Sequence, residues 1–397
     1  MRILIFEPYS KGHPETYYTN YLNRFVELFP NLVNIGLCVP KEFDANSLDD
    51  KISIYRLPVN INDTKRLIDF YASYMKNLSY ALSLAKKENY KIFHHMYIDT
   101  FKIPTALVLL FKRKNLHLFI TLHWADNKFS NNIMLNKIFK LIEHFFFLLT
   151  AKLTFSIFVH GEAIKSALIK KYGKTISNKF VVIPYPIAID DRKSINQEKA
   201  REILNLPPNT PLLLAFGGTR YEKGIDILID ALEKISSKIK VAVIIAGEAL
   251  YFDKHYFKTR LKNNSELRNR LILRLNYIKK EDTDLYFNSC NIVVLPYRKI
   301  FAGQSGPLTL ALKYRKPLIA SDVMQIGYDV NKYKIGITFK PEDVQSLSQA
   351  IKSFITKYDN YSVNFAKGID EYLKEKTIDK LIITTFNEYK KRNYVRL

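Results

Sequence analysis

The sequence predicts an α/β protein of two doubly wound, parallel-sheet domains, and three observations carry that prediction. Short apolar runs alternate with helical patterns along most of the chain, the order that builds parallel sheets through helical crossovers. The runs are near-continuous rather than alternating, as in strands covered on both faces. At 397 residues, the chain is too long for one ordinary hydrophobic core. A proline-bearing, then polar stretch, Ile183–Ala200 (IPYPIAIDDRKSINQEKA), breaks the alternation near its middle and reads as a linker. The expected organisation is a first domain over 1–185, a linker over 186–200, a second domain over 201–370 and a helical segment over 371–397.

The strand candidates of the first half are RILIFE, NLVNIGLCV, KISIYRL, YKIFHH, LHLFITLH, LTFSIFVH and KFVVIP. Helices fall between them. The clearest is Thr64–Lys87, where Leu67, Tyr71, Tyr74, Met75, Leu78, Ala81, Leu82 and Ala85 share one face at helical spacing. The second half restarts with LLLAF, VAVIIAG, LILRL, NIVVLP, KPLIAS and KIGITF as strands. Helices are expected at Lys223–Ile235, His255–Lys262, Asp282–Asn288, Ser305–Tyr314 and Pro341–Ile355, and Asn360–Leu397 reads as all-helical. The most apolar stretch, Phe145–Ala151, is too short to span a bilayer.

Composition narrows the function classes. Hydrophobic residues at 47% and charged residues at 25% describe a globular chain. The excess of 61 basic over 38 acidic side chains, a net charge of +23, favours anionic partners. Cys38 and Cys290 stand alone beside apolar runs, so neither a disulfide framework nor a zinc site is expected and a reducing compartment fits. MRILIFEPYS reads as a first buried strand rather than a signal peptide. The expectation is a cytoplasmic protein, with the Leu141–Ala151 helix and the positive charge suited to contact with the inner face of an anionic membrane. Basic FKRKNLH (Phe111–His117) accompanies no nucleic-acid module, so it reads as a solvated or membrane-facing surface and no nucleic-acid partner is expected. Asp282–Asp284 (DTD) reads as a helix N-cap with acids in the first turn rather than a metal site.

Two strand-to-helix elbows carry the chemistry. In FGGTRYEKGIDIL, Gly217 and Gly218 have no Cβ and let backbone approach a ligand, while Arg220 and Lys223 bring two cations. The next helix points unpaired N–H groups and its positive dipole end at the same place. Together these features make a diphosphate clamp; the pattern is neither a P-loop nor Gly-x-Gly-x-x-Gly. In LPYRKIFAGQSGPLTLALKYRKPLIASD, Gly303, Ser305 and Gly306 precede a second helix, with Pro307 in its first turn, where proline fits. Ser305 and the adjacent N–H groups would hold a further phosphate oxygen.

Taken in order, FGGTRYEKGIDILIDAL, VAVIIAGEA, NYIKKEDTDLYFNSCNIVVLPYR and SGPLTLALKYRKPLIASD resemble the donor domain of group 1 glycosyltransferases, the retaining family 4 enzymes of the GT-B fold. The resemblance covers roughly Pro211–Asp322. It implies two Rossmann-like domains facing a cleft, a final helix crossing back to the first domain, and transfer of a hexose-type sugar from a nucleoside-diphosphate sugar to a glycan or lipid-linked acceptor in cell-surface polysaccharide or glycoconjugate synthesis. Retention of configuration is implied, with no cofactor and no essential metal. Arg220 and Lys223 fall on the family positions that stabilise the leaving diphosphate. Gly217, Gly218, Gly247, Glu248, Ile278, Gln304, Ser305 and Gly306 fall on the donor side, with Ile278 where backbone meets the nucleobase. The family's Glu-x7-Glu pair, one for the sugar and one for the ribose, falls here on Ala302 and Leu310. In the first domain, Gly12 and His13 occupy a loop the family places near acceptor or donor phosphate. His123 stands where a histidine approaches the sugar, beside Trp124. His94 and His95 also end a strand, and His94 is grouped with the acceptor or sugar side. Two alternatives remain open: an epimerase or inverting transferase on the same fold, and a non-catalytic scaffold subunit.

Overall fold

Those near-continuous apolar runs become strands, buried on both faces in the middle of each sheet and more open at edge strands such as Ser53–Arg56, and every pair of neighbouring strands is parallel. The structure is a computed structural model describing residues 1–9, 13–64, 66–113, 115–124, 133–187 and 195–393. It divides into two compact units, one of Met1–Pro186 with Ile378–Leu397, the other of Ile187–Thr377.

The first unit holds a seven-stranded sheet of β1 (Arg2–Phe6), β2 (Asn34–Val39), β3 (Ser53–Arg56), β4 (Ile92–His95), β5 (His117–Leu122), β6 (Ser156–Val159) and β7 (Phe180–Val182). Its order is β3-β2-β1-β4-β5-β6-β7, which reverses direction between β1 and β4. The connecting helices are α1 (His13–Leu28), α2 (Leu67–Lys87), α3 (Lys102–Lys112), α4 (Ile133–Leu153) and α5 (Glu162–Tyr172). On one face, Leu4, Phe6 and Phe93 meet Tyr74 and Leu78 of α2 and Val108 of α3. On the other, Ile3, Phe119 and Phe158 meet Phe25 of α1 and Leu381, Phe386 and Tyr389 from the end of the chain.

The second unit contains α6 (Gln197–Ile203), β8 (Leu212–Phe216), α7 (Ile225–Glu233), β9 (Ala242–Ala246), α8 (Lys254–Leu261), α9 (Ser265–Arg270) and β10 (Leu271–Arg274). There follow α10 (Thr283–Ser289), β11 (Ile292–Leu295), α11 (Gly306–Lys313), β12 (Leu318–Ser321), α12 (Met324–Tyr333), β13 (Gly336–Phe339) and α13 (Val344–Glu375). The sheet runs β10-β9-β8-β11-β12-β13, with its reversal between β8 and β11. Both elbows found in the sequence therefore leave the two strands that flank the switch point, where ligands of such sheets bind.

Some expectations need correcting. Gln197–Ala200 are not linker but the first turns of α6, capped by Asn196 Oδ1 accepting the Lys199 N–H at 2.8 Å. The helix holds because buried Arg201 donates to the carbonyls of Ser289 and Pro207. The expected helical tail falls into two helices among the described residues, and ahead of it Lys357 inside α13 has φ −127° and ψ 21°. A break at Lys376–Thr377 then separates α13 from α14 (Ile378–Asn393), which packs in the first unit. Asp282 precedes α10 but makes no side-chain cap, and Asp284 instead accepts a hydrogen bond from the Tyr314 hydroxyl. No described helix is long and apolar enough to cross a membrane.

Candidate functional site

In the second unit the first elbow is held open by its neighbour. Gly217 N–H donates to Ala246 O at 2.7 Å and Thr219 N–H to Glu248 O at 2.9 Å. Thr219, fully buried, adds its hydroxyl: it donates to Phe252 O at 2.7 Å and accepts the Leu250 N–H at 2.9 Å. The loop after β8 is thus stitched to the loop after β9. Gly224 caps α7 in the left-handed region, φ 62°, and a Cβ there would lie 2.0 Å from Pro296 O, so only glycine lets this turn touch the second elbow.

Lys223 is the most unusual group of the elbow. Its side chain folds under Gly217, where a Cβ would stand 2.5 Å from Nζ. The residue is 7% exposed, and its ammonium donates to the Phe216 carbonyl at 3.3 Å. Among the described residues no carboxylate forms an ion pair with it. Burial, then the nearby Arg220 charge, push its pKa down to about 8, with Glu222 opposing. A buried cation beside a second cation calls for an anion. Arg220 is half-exposed and meets Glu222 Oε1 at 2.7 Å.

The second elbow closes on the first. A Cβ on Gly217 would lie 3.9 Å from Pro307 Cγ. Buried Ser305 caps α11, accepting the Leu308 N–H at 3.2 Å and sharing a hydrogen bond with the Tyr297 hydroxyl at 3.1 Å. Burial pushes Tyr297 up to about 12, and Arg220 is close enough to offset this in part. Ser305 therefore orients the helix N-terminus. The space beside Gly306 is open, with no atom within 4 Å of an ideal Cβ, and Gln304 is half-buried next to it. Ala302 is buried and Leu310 half-buried, so both family glutamate positions are apolar here. Arg298, unremarked in the sequence, braces the elbows: it lies over the Tyr221 ring at 4.2 Å, donates to Tyr221 O at 3.0 Å and pairs with Asp226.

Beside this clamp, at the carboxyl ends of β9 and β10, lies a cavity of about 440 Å³ lined by Glu248, Asp253, Lys254, His255, Asn276 and Tyr277, among others. Gly247 links β9 to it and donates to Arg274 O at 3.0 Å. Ile278 is half-buried and not part of its lining; the neighbouring Asn276 and Tyr277 take that place. No group of metal-binding residues is found among the described residues.

In the first unit the sequence candidates divide. His123 and Trp124 follow β5, and their N–H groups donate to one oxygen of buried Asp99, at 2.9 and 2.6 Å. Burial raises the Asp99 pKa, opposed first by His123 and then by Lys102. His123 Nε2 donates to Met96 O at 3.0 Å, and its ring stacks on Tyr97 with centroids 5.4 Å apart. Half-buried at a strand end, His123 can meet a ligand. His94 cannot. Its Nε2 bonds Thr121 at 2.8 Å, its Nδ1 bonds the Tyr389 hydroxyl, and burial pushes its pKa down to about 3. His95 is similarly held by Tyr74 and by the Tyr97 N–H, with the same displacement. His94 is thus an interior residue rather than the sugar-side group expected, and His95 is interior beside it. Gly12 lies outside the described residues; His13 begins α1, with its side chain outside them.

Sequence and structure comparisons agree with this geometry. Residues 196–375, which lie within the second unit, match the family model "Glycosyl transferases group 1". No curated protein sequence matches the chain. Among solved structures, sucrose-phosphate synthase from Thermosynechococcus elongatus is similar over 98% of both chains, at 16% identity and a TM-score of 0.75. A glycosyltransferase from Rickettsia africae matches over 100% of this chain and 99% of that one, at 16% identity and TM-score 0.74. Anabaena HepE in complex with UDP matches over 98% of this chain and 100% of that one, at 17% identity and TM-score 0.72. The fold is therefore GT-B, with two Rossmann-like parallel-sheet units.

Proposed function

We propose, with the group 1 glycosyltransferase match as premise, that this chain moves a hexose-type sugar from a nucleoside-diphosphate sugar to a glycan or lipid-linked acceptor, with retention of configuration. It fits the family 4 enzymes and needs no metal or other cofactor: the clamp supplies the positive charge that the departing diphosphate requires. The observation that carries the reading is Lys223, a buried ammonium with one long carbonyl contact, set beside Arg220 and the open N-terminus of α11. Two cations fixed where negative charge develops contribute several kcal/mol to lowering the barrier. The cavity by Asn276 and Tyr277 is sized for a nucleoside, and a UDP-glucose complex of HepE makes a uridine nucleotide the first to try. Half-buried His123, oriented through Asp99, is the sugar-side candidate, with Trp124 beside it. Synthesis of a cell-surface polysaccharide or glycoconjugate, carried out in the cytoplasm, is the setting this activity fits.

Calorimetry with UDP, GDP and ADP tests the clamp. One of them is expected to bind in the micromolar range, with binding lost in Arg220→Ala/Lys223→Ala. The anomer of the product, read by NMR, then separates retention from inversion or epimerisation. One observation favours a second reading, a non-catalytic scaffold: Ala302 and Leu310 are apolar where the family carries glutamates. Absence of binding by all three nucleotides would select it.

A further inference from the structure

Half of the exposed large apolar side chains among the described residues of the first unit lie on two adjacent helices. On α4, Ile138, Leu141, Ile142 and Phe145 are all exposed, Leu141 by 72% and Phe145 by 63%. Their spacing of three, four and seven residues makes one stripe. On α3, which packs along α4, Leu110 is exposed and Phe111 is 80% exposed. Each helix buries its opposite side: Lys102 of α3 and Glu143 of α4 form an ion pair at 3.1 Å, almost wholly out of solvent. Glu143 is the one acidic residue in either helix, and it faces inward.

Cations border the stripe. Lys152 stands seven residues beyond Phe145, which itself stands seven beyond Ile138, so it ends the apolar line on the same helical face. At that end lies a cavity of about 500 Å³ lined by Leu110, Arg113, Lys152, Thr154, Phe155 and Lys179, among others. Lys179 Nζ donates to Thr154 O at 2.7 Å, which fixes it at the rim. No carboxylate among the described residues forms an ion pair with Arg113 or Lys152. The cavity sits where α3 and α4 end and β5, β6 and β7 begin, at the amino ends of these strands, whereas His123 follows the carboxyl end of β5.

We infer that the α3–α4 face is a docking surface for an anionic lipid bilayer, with the apolar stripe entering the headgroup boundary and the Arg113/Lys152/Lys179 cavity taking a lipid phosphate. An apolar helix face next to cations, without exposed acids on either helix, suits lipid chemistry. Lysine at the end of the stripe can keep its charge at the headgroups while its stem lies on apolar surface. The net charge of +23 adds attraction over a longer range. The inference does not depend on the sugar-transfer reading, since none of these residues belongs to the nucleotide clamp.

The test is flotation of the full chain with vesicles of phosphatidylglycerol mixed equally with phosphatidylcholine, against phosphatidylcholine alone, at low and high salt. Flotation with the anionic vesicles at low salt, and little with the neutral ones, is expected. Arg113→Gln/Lys152→Gln lowers the partition about thirtyfold, at roughly fivefold per cation. Phe111→Ser/Leu141→Ser/Phe145→Ser lowers it on the order of a hundredfold. All five side chains tested are at the surface, so melting temperature and nucleotide binding should stay unchanged and report on folding. Failure of the wild type to float at low salt overturns the inference. So does full flotation of the triple apolar variant, which would reduce the interaction to diffuse charge. A chain that does not float but sediments as a dimer, and becomes monomeric in the triple variant, would give the face to a second copy instead.

Discussion

Lys223 and His94 show how burial alone sets a residue's task. The folded pKa of Lys223, about 8, lies below its ordinary 10.5. A bound diphosphate needs the charged form, so affinity should hold below pH 8 and fall as pH rises through it; calorimetry across that range reads the slope. Stability moves the other way. The unfolded chain binds more protons than the folded one between about pH 8 and 10.5, so the penalty of this buried cation is relieved as pH rises. His94 and His95 are also depressed, from 6.5 to about 3, but as neutral core groups. Stability should therefore fall as pH drops below 6.5 and continue falling toward 3. Each histidine steepens the loss by up to about 1.4 kcal/mol per pH unit. In His94→Gln, denaturant unfolding across this window should show a shallower dependence by about one proton. Nothing local in YKIFHH distinguishes such a histidine from a ligand-facing one: the Tyr389 hydroxyl that occupies His94 comes from a helix 295 positions away.

Among elements, the two elbows depend on their stitching more than on their own turns. Thr219→Val keeps the shape of the side chain but leaves the Leu250 N–H and the Phe252 carbonyl without their partner. A loss of about 1–3 kcal/mol is expected, measured by denaturant unfolding, together with weaker nucleotide binding because the clamp rests on that loop. The central strands were legible in the sequence because they are covered on both faces, and near-continuous apolar runs record that burial directly; the edge strand β3 is mostly exposed. Glycines and cations of the first elbow stood out for a different reason: their residue types alone mark close backbone approach and positive charge. Thr219 did not, since its role arises from where Phe252 arrives. Ile278 stands one position beyond the cavity lining, in a loop where no periodicity fixes a register. The short α9 and the glycine-bearing α12 escaped notice because six residues give too little helical repeat, and an internal glycine lowers helix preference.

On the scale of the whole molecule, one unit is continuous in sequence and the other is not. Ile187–Thr377 form the second unit from a single stretch, whereas the first takes its last helix from Ile378–Leu397. That helix contributes Leu381, Ile382, Phe386 and Tyr389 to one face of the seven-stranded sheet, with Phe386 stacked on Phe29 at 3.9 Å and Asp379 bound to Arg24 at 2.7 Å. Four buried side chains at roughly 1.5–3 kcal/mol each amount to as much as the whole stability of an ordinary domain. Ending the chain at Thr377 should leave the first unit without cooperative melting and binding a hydrophobic dye, while calorimetry still detects the second unit.

The same discontinuity orders events at the ribosome. Domains made in succession usually fold in succession, the N-terminal one first. Here the first unit keeps one face of its sheet bare until Ile378–Leu397 leave the exit tunnel, and the unit made second can be finished before it. Throughout synthesis of the second unit the nascent chain therefore carries an uncovered apolar surface, which α14 closes when it emerges.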